Sequence, residues 1–199
     1  MNAAIKQKTS KMFLSDLCMF YYQIEDFEHA IQTAEQILKE RQDDCTAYLV
    51  MGLVSEEKKN FEEAAQYYSE ILKLHEYDPI ALKRKANVEM VFGMYEEALA
   101  DIDRSLSSDK TDPESYVIRG LIYLRHHHDK IEAIVNFNEA LRLDPQNVSA
   151  LYHRGYSFLK YGNYNYARDD LTQAAILGNE DAEEMLSKFF ASHEFKTPA

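Results

Sequence analysis

Three consecutive histidines, His126, His127 and His128, are the first residues in this 199-residue chain whose type suggests chemistry. Imidazole nitrogens bind transition metals and move protons near neutral pH. A metal needs those nitrogens to converge, whereas neighbours in sequence diverge on any regular element, and helical ligand pairs are spaced i, i+4. The run, inside "RHHHDK", therefore reads as a solvated turn, and Cys18 and Cys45 lie far from it in sequence. Carboxylate pairs such as Glu56-Glu57, Glu62-Glu63 and Asp169-Asp170 suggest acid–base work. Adjacent carboxylates on a helix point apart, however, so these read as solvated faces. Nucleophile elbow, phosphate loop, dinucleotide fingerprint and zinc-protease signature are all missing from the sequence. The expectation is a chain with no catalytic residue, no metal and no cofactor: not an enzyme.

Composition narrows the remaining classes. Apolar residues make up 46% of the chain and charged residues 28%, which suits a packed soluble protein. Acidic residues outnumber basic ones by 34 to 22, for a net charge of −12. Such a surface repels a phosphate backbone, since nucleic-acid affinity comes mainly from Lys and Arg displacing counterions. Neither nucleic acid nor membrane is an expected partner. The start, "MNAAIKQKTSK", lacks the apolar centre of a secretory signal, and two cysteines are too few for a disulfide framework. These features suggest a cytoplasmic location.

The elements that carry these residues show themselves through repetition. Gly155 stands inside an amphipathic segment, "ALYHRGYSFLKYGNYNYA", where glycine costs about 1 kcal/mol relative to alanine. Moving back along the chain, the same place is taken by Gly120, Ala86, Gly52 and Cys18, every one of them small. An alanine follows each at the same distance, one residue further in the fourth case: Ala30, Ala64, Ala98, Ala133 and Ala167. Large residues recur before the small position (Leu14, Tyr48, Leu82, Tyr116, Leu151) and after the alanine (Tyr68, Ile102, Phe137, Leu171, with Ala34 the exception). An aromatic opens the second half of four units at Phe27, Phe61, Tyr95 and Tyr164, with Lys130 in the fourth unit.

This pattern resembles the tetratricopeptide repeat (TPR), a helix–turn–helix unit of about 34 residues. The resemblance implies an all-α, right-handed α-solenoid of five TPR-like repeats, 11–44, 45–78, 79–112, 113–147 and 148–181. A flexible lead would occupy 1–10, and a capping helix with a frayed tail 182–199. Small residues and alanines would mark where the two helices of a unit cross. Asp78-Pro79 and Asp112-Pro113 read as helix starts, and Asn60 and Asn163 as caps of second helices. The extra residue near "RHHHDK" should bulge its turn.

The resemblance also implies a protein-binding scaffold, whose first helices line a concave groove for a partner's peptide or amphipathic helix. The corresponding positions are Met19, Tyr22, Leu49, Leu53, Ile80, Lys83, Asn87, Met90, Val117, Leu121, Leu124, Tyr152, Tyr156 and Leu159. Two alternatives stand beside this. One is a chaperone adaptor gripping an acidic C-terminal tail, for which Lys83 and Asn87 fit the family's clamp while Ile118, Ser149 and His153 do not. The other is a self-associating structural homo-oligomer.

Overall fold

The computed structural model describes residues 3–190, with side chains from Phe13 onward except that of His127. The segment 191–199, expected as a frayed tail, lies outside the described residues. Eleven α-helices and one π-helical turn, with no strand, account for the described residues. The protein is an all-α helical-repeat solenoid, and its chain divides into two compact units between Ser108 and Asp109.

The first unit holds three helix pairs: α1 (Ala3–Gln23) with α2 (Phe27–Glu40), α3 (Cys45–Glu57) with α4 (Phe61–Leu74), and α5 (Pro79–Val91) with α6 (Tyr95–Ser108). α1 already begins within the segment read as a lead, where Ala3, Ala4, Lys6, Gln7 and Lys8 are all good helix formers. In the second unit, α7 (Pro113–Ile122) continues into the π turn Tyr123–His127 and pairs with α8 (Lys130–Leu143). α9 (Val148–Tyr161) pairs with α10 (Tyr164–Ile176), and α11 (Glu180–Phe189) packs on α10.

No helix here could bury its apolar stripe alone, and each pair closes around a small residue. A methyl group placed at Gly52 would lie 2.5 Å from the Tyr68 ring, and one at Gly120 would lie 2.6 Å from the Phe137 ring. At Gly155 it would lie 2.9 Å from Leu171 Cγ and 3.2 Å from that residue's backbone nitrogen. Tyr68, Phe137 and Leu171 are fully buried. The small columns thus let large side chains of the second helix lie flat across the first.

The extra residue of the fourth pair is absorbed inside the helix rather than in its turn. Tyr123–His127 widens to π geometry, and the backbone N–H groups of His128 and Asp129 both bond the Tyr123 carbonyl. A single inserted residue is the usual origin of such a bulge. His128 then takes the left-handed conformation, φ 53°, where the fifth pair uses Gly162.

Capping follows the acids more closely than the asparagines. Asp44, Asp78, Asp112, Asp129, Asn147 and Asn179 each accept a hydrogen bond from a first-turn N–H of the following helix. Asn60 and Asn163 stand at N-cap positions without a side-chain cap bond, which corrects the sequence reading. Asp26 caps α2 through the His29 N–H at a ψ of 70°, nearly the 67° and 69° of Asn60 and Asn163, so the difference lies in the side chain and not in the backbone angle. Asp78→Ala should therefore cost about 1 kcal/mol in urea unfolding, whereas Asn60→Ala should cost a few tenths at most. Equal losses for the two would refute this distinction.

Candidate interaction surface

The fourteen positions singled out in the sequence recur at spacings of three and four, which place them on one face of the first helix of each pair. Their exposure divides them. Leu53, Met90, Val117 and Leu159 are buried, Val117 to 1% exposure, and serve the core. In the first unit, Met19, Tyr22, Leu49, Lys83 and Asn87 are half-exposed, and Ile80 is 49% exposed. In the second unit, Leu121, Leu124, Tyr152 and Tyr156 are half-exposed. Met19, Tyr22 and Leu49 rest against core residues of the first unit, and Leu121, Leu124 and Tyr152 against those of the second. One side of each is packed and the other open, so these apolar side chains are held in fixed positions.

Polar groups are sparse on this face and mostly engaged. The Tyr68 hydroxyl donates to Glu56, and the Arg84 guanidinium stands 3.6 Å from the same carboxylate. Burial raises the pKa of Glu56 above the usual carboxylate range, against the lowering effects of Tyr68 and Arg84. In the second unit, the Lys160 ammonium sits 5.2 Å from the Tyr156 ring centroid, a cation–π contact along one helix. Of the clamp positions, Ile118 is 2% exposed and the His153 ring stacks on Phe137 at 6.0 Å between centroids, so neither offers a cation to a dicarboxylate.

His153 has a consequence of its own. Burial, reinforced by the nearby Arg125 charge, lowers its pKa to about 4 from the ordinary 6.5. The folded protein therefore holds this ring neutral while the unfolded chain takes up a proton below pH 6.5. Its stabilising contribution is complete above pH 6.5, falls as pH drops, and is fully lost near pH 4. Because the ring retains some solvent access, the loss should be about 1–3 kcal/mol. Urea titrations at pH 7 and pH 4.5 should show His153→Gln losing less stability on acidification than the wild type. A parallel loss in both would contradict this origin.

A cavity of about 290 Å³ opens on the first unit where α1 and α3 end, lined by Tyr22, Gln23, Glu25, Phe27 and Glu57. Another, about 170 Å³, lies among Ile31, Glu35, Met51, Val54, Ser55, Lys58, Asn60, Glu63 and Tyr67. Of these residues the sequence reading placed only Tyr22 on the interaction face. Tyr22 and Glu57 are twelfth and thirteenth in their units, an offset that became informative only once α1 was seen packed on α3. The histidine run brings no ligand set together. His126 and His128 are exposed, and among the described residues no group of three His, Cys, Asp or Glu side chains could hold a metal ion.

A second pattern went unread in the sequence. Lys85, Arg119 and Arg154 each precede the small column, and each reaches the polar residue that precedes the large buried side chain of the paired helix. Lys85 meets Asp101 at 2.6 Å, Arg119 Nε donates to Asn136 at 2.6 Å, and Arg154 grips both oxygens of Asp170 at 2.7 Å. These bonds flank the glycine and alanine crossings and fix their register. The signal was present as a basic residue before the small position and Asp or Asn before the large one.

Comparison with known proteins points one way. A family model described as "Tetratricopeptide repeat" matches residues 21–79, and one described as "TPR repeat" matches residues 132–162. The U-box domain-containing protein 70 of Oryza sativa subsp. japonica is 29% identical over 94 residues, 47% of this chain but only 12% of that protein's length. Among solved structures, that of Pseudomonas aeruginosa pilF superposes with a TM-score of 0.80 at 16% identity, covering 94% of this chain and 95% of its own. YrrB, described as a TPR protein with an unusual peptide-binding site, gives 0.67 at 18% identity over 94% and 98%. MamA from Desulfovibrio magneticus RS-1 gives 0.70 at 18% identity over 88% and 96%.

Proposed function

Since the chain is a tetratricopeptide-repeat protein, we propose that it is a non-enzymatic scaffold that binds an extended peptide or amphipathic helix of a partner protein on the exposed face of its first helices. The observation that carries this reading is the set of half-packed apolar side chains there, Tyr22 and Leu49 in one unit and Leu121, Tyr152 and Tyr156 in the other. Tyrosine and methionine offer large contact area at low entropic cost, which suits recognition of a second chain. The peptide-binding site that YrrB's description names, on the same fold, is consistent with this use.

A chaperone-tail adaptor is less well supported, because the positions that would anchor two carboxylates hold buried Ile118 and a neutral His153. Self-association remains the competing outcome. A cytoplasmic location fits the unlinked Cys18 and Cys45, and no described helix is long and apolar enough to cross a membrane.

The direct experiment is selection of a random dodecapeptide phage library on the immobilised full chain. Selected peptides should carry apolar residues at helical or alternating spacing and should compete with one another. They should also fail to bind a Leu49→Arg variant or a Leu121→Arg variant, according to the unit they use. Peptides that bind both variants undiminished would place recognition elsewhere.

A further inference from the structure

The 290 Å³ cavity where α1 and α3 end brings aromatic rings, carboxylates and helix ends together. Tyr22 and Phe27 form two of its walls, their ring centroids 6.1 Å apart and tilted by 40°. Glu25 and Glu57 bring two carboxylates to the same opening, and neither has an ion-pair partner among the described residues. Gln23 and Glu57 are the last residues of α1 and α3, so two helix C-termini, each the negative end of its dipole, converge there. Arg84, the cation that approaches from α5, is drawn to Glu56 instead.

The Tyr22 hydroxyl responds to this field: burial and then the Glu57 carboxylate raise its pKa, against the lowering effect of the Arg84 charge. Glu25 holds a left-handed backbone, φ 61°, at a turn position where Gly93 and Gly162 serve other pairs. Any partner also meets a chain of net charge −12.

We infer that this cavity receives a cationic side chain, lysine or arginine, from the segment bound on the neighbouring helix face. The rings would cover the flat guanidinium or the aliphatic stem, and Glu25 and Glu57 would meet the charge. An acidic tail is disfavoured at the same place, because its carboxylates would face two carboxylates and two helix C-termini. The inference rests on the peptide-binding reading of the first-helix face and adds the charge of the ligand to it.

Two measurements separate the inference from that reading. In the first, the full-length ¹⁵N-labelled chain is titrated with N-acetyl-argininamide and, in parallel, with its neutral isostere N-acetyl-citrullinamide. Shifts should concentrate at the amides of Tyr22, Gln23, Glu25, Phe27 and Glu57 with the arginine probe. They should be at least about fivefold weaker with citrulline, the size of one charge contact, and should fade with added salt. Glu25→Gln and Glu57→Gln, both at exposed positions, should each reduce the response. Equal responses to the two probes, or none to arginine, overturn the inference.

In the second, the dodecapeptides selected on the full chain are sequenced. A lysine or arginine at a fixed position, with affinity lowered about fivefold by Glu57→Gln, supports the cavity's role. Peptides that need Leu49 but show no basic preference overturn it and leave the groove reading intact. Peptides indifferent to both groove variants overturn the groove reading itself.

Discussion

Gly120→Ala should destabilise the protein by about 1 kcal/mol, and adding Phe137→Ile in the same molecule should restore most of that loss. The new methyl would lie 2.6, 2.9 and 3.0 Å from three atoms of the Phe137 ring. That ring is fully buried, so it has no free direction in which to retreat. Alanine gains about 1 kcal/mol over glycine in a helix interior, but overpacking at this distance costs about 1–3 kcal/mol and should win. Alone, Phe137→Ile leaves a void and should cost about 1–3 kcal/mol. Together the two changes reproduce the Ala86 and Ile102 pairing that already closes α5 on α6. Urea unfolding of the four proteins gives the cycle directly, with a coupling of about 1–3 kcal/mol expected. Additive losses would mean that the two positions do not determine each other's size.

Leu121→Arg with Tyr156→Arg should lower partner affinity at least about a hundredfold while leaving helical content intact and costing about 1–2 kcal/mol of stability, from the lost Leu121 packing and the lost Lys160 contact. Both side chains are half-exposed on the first helices of the second unit. A guanidinium there keeps its charge in water in the free protein and loses that water under a ligand without gaining a partner. The loss therefore falls mainly on binding. Circular dichroism and a urea curve establish the fold, and titration with the selected dodecapeptides establishes the affinity. A folded double variant that binds as the wild type does would remove the second unit's face from the interaction.

The helical-repeat architecture was legible because its requirement is local and recurs: a small residue must stand where two backbones cross. Gly52, Gly120 and Gly155 against Tyr68, Phe137 and Leu171 express that requirement in residue size alone. Finer placement depends on geometry that residue type does not encode. Asn60 and Asn163 have the right chemistry and stand at N-cap positions, yet their side chains make no cap bond where Asp26, at nearly the same backbone angle, does. The inserted residue beside the histidines was visible as a count, but whether it would loosen a turn or widen a helix depends on how α7 and α8 meet. At the interaction face, repeat position gives the direction of a side chain but not its depth. Val117 and Leu121 lie four residues apart on one face, yet Val117 is inside and Leu121 half out. The Tyr22 cavity was hidden for a further reason, since it is assembled from the ends of two pairs that meet only in the packed structure.

The central claim is that partners engage the first-helix face and not the outer face of the second helices. Affinity capture from the source organism's lysate tests it most directly when three full-length baits are compared by quantitative mass spectrometry. These are the wild type, Leu121→Arg/Tyr156→Arg, and Ile131→Arg/Val135→Arg, the last altering apolar side chains of α8 that are 60% and 48% exposed. A partner retained by the α8 variant and lost from the Leu121/Tyr156 variant is the expected result. A partner lost from the α8 variant and retained by the other would contradict it and move recognition to the outer face.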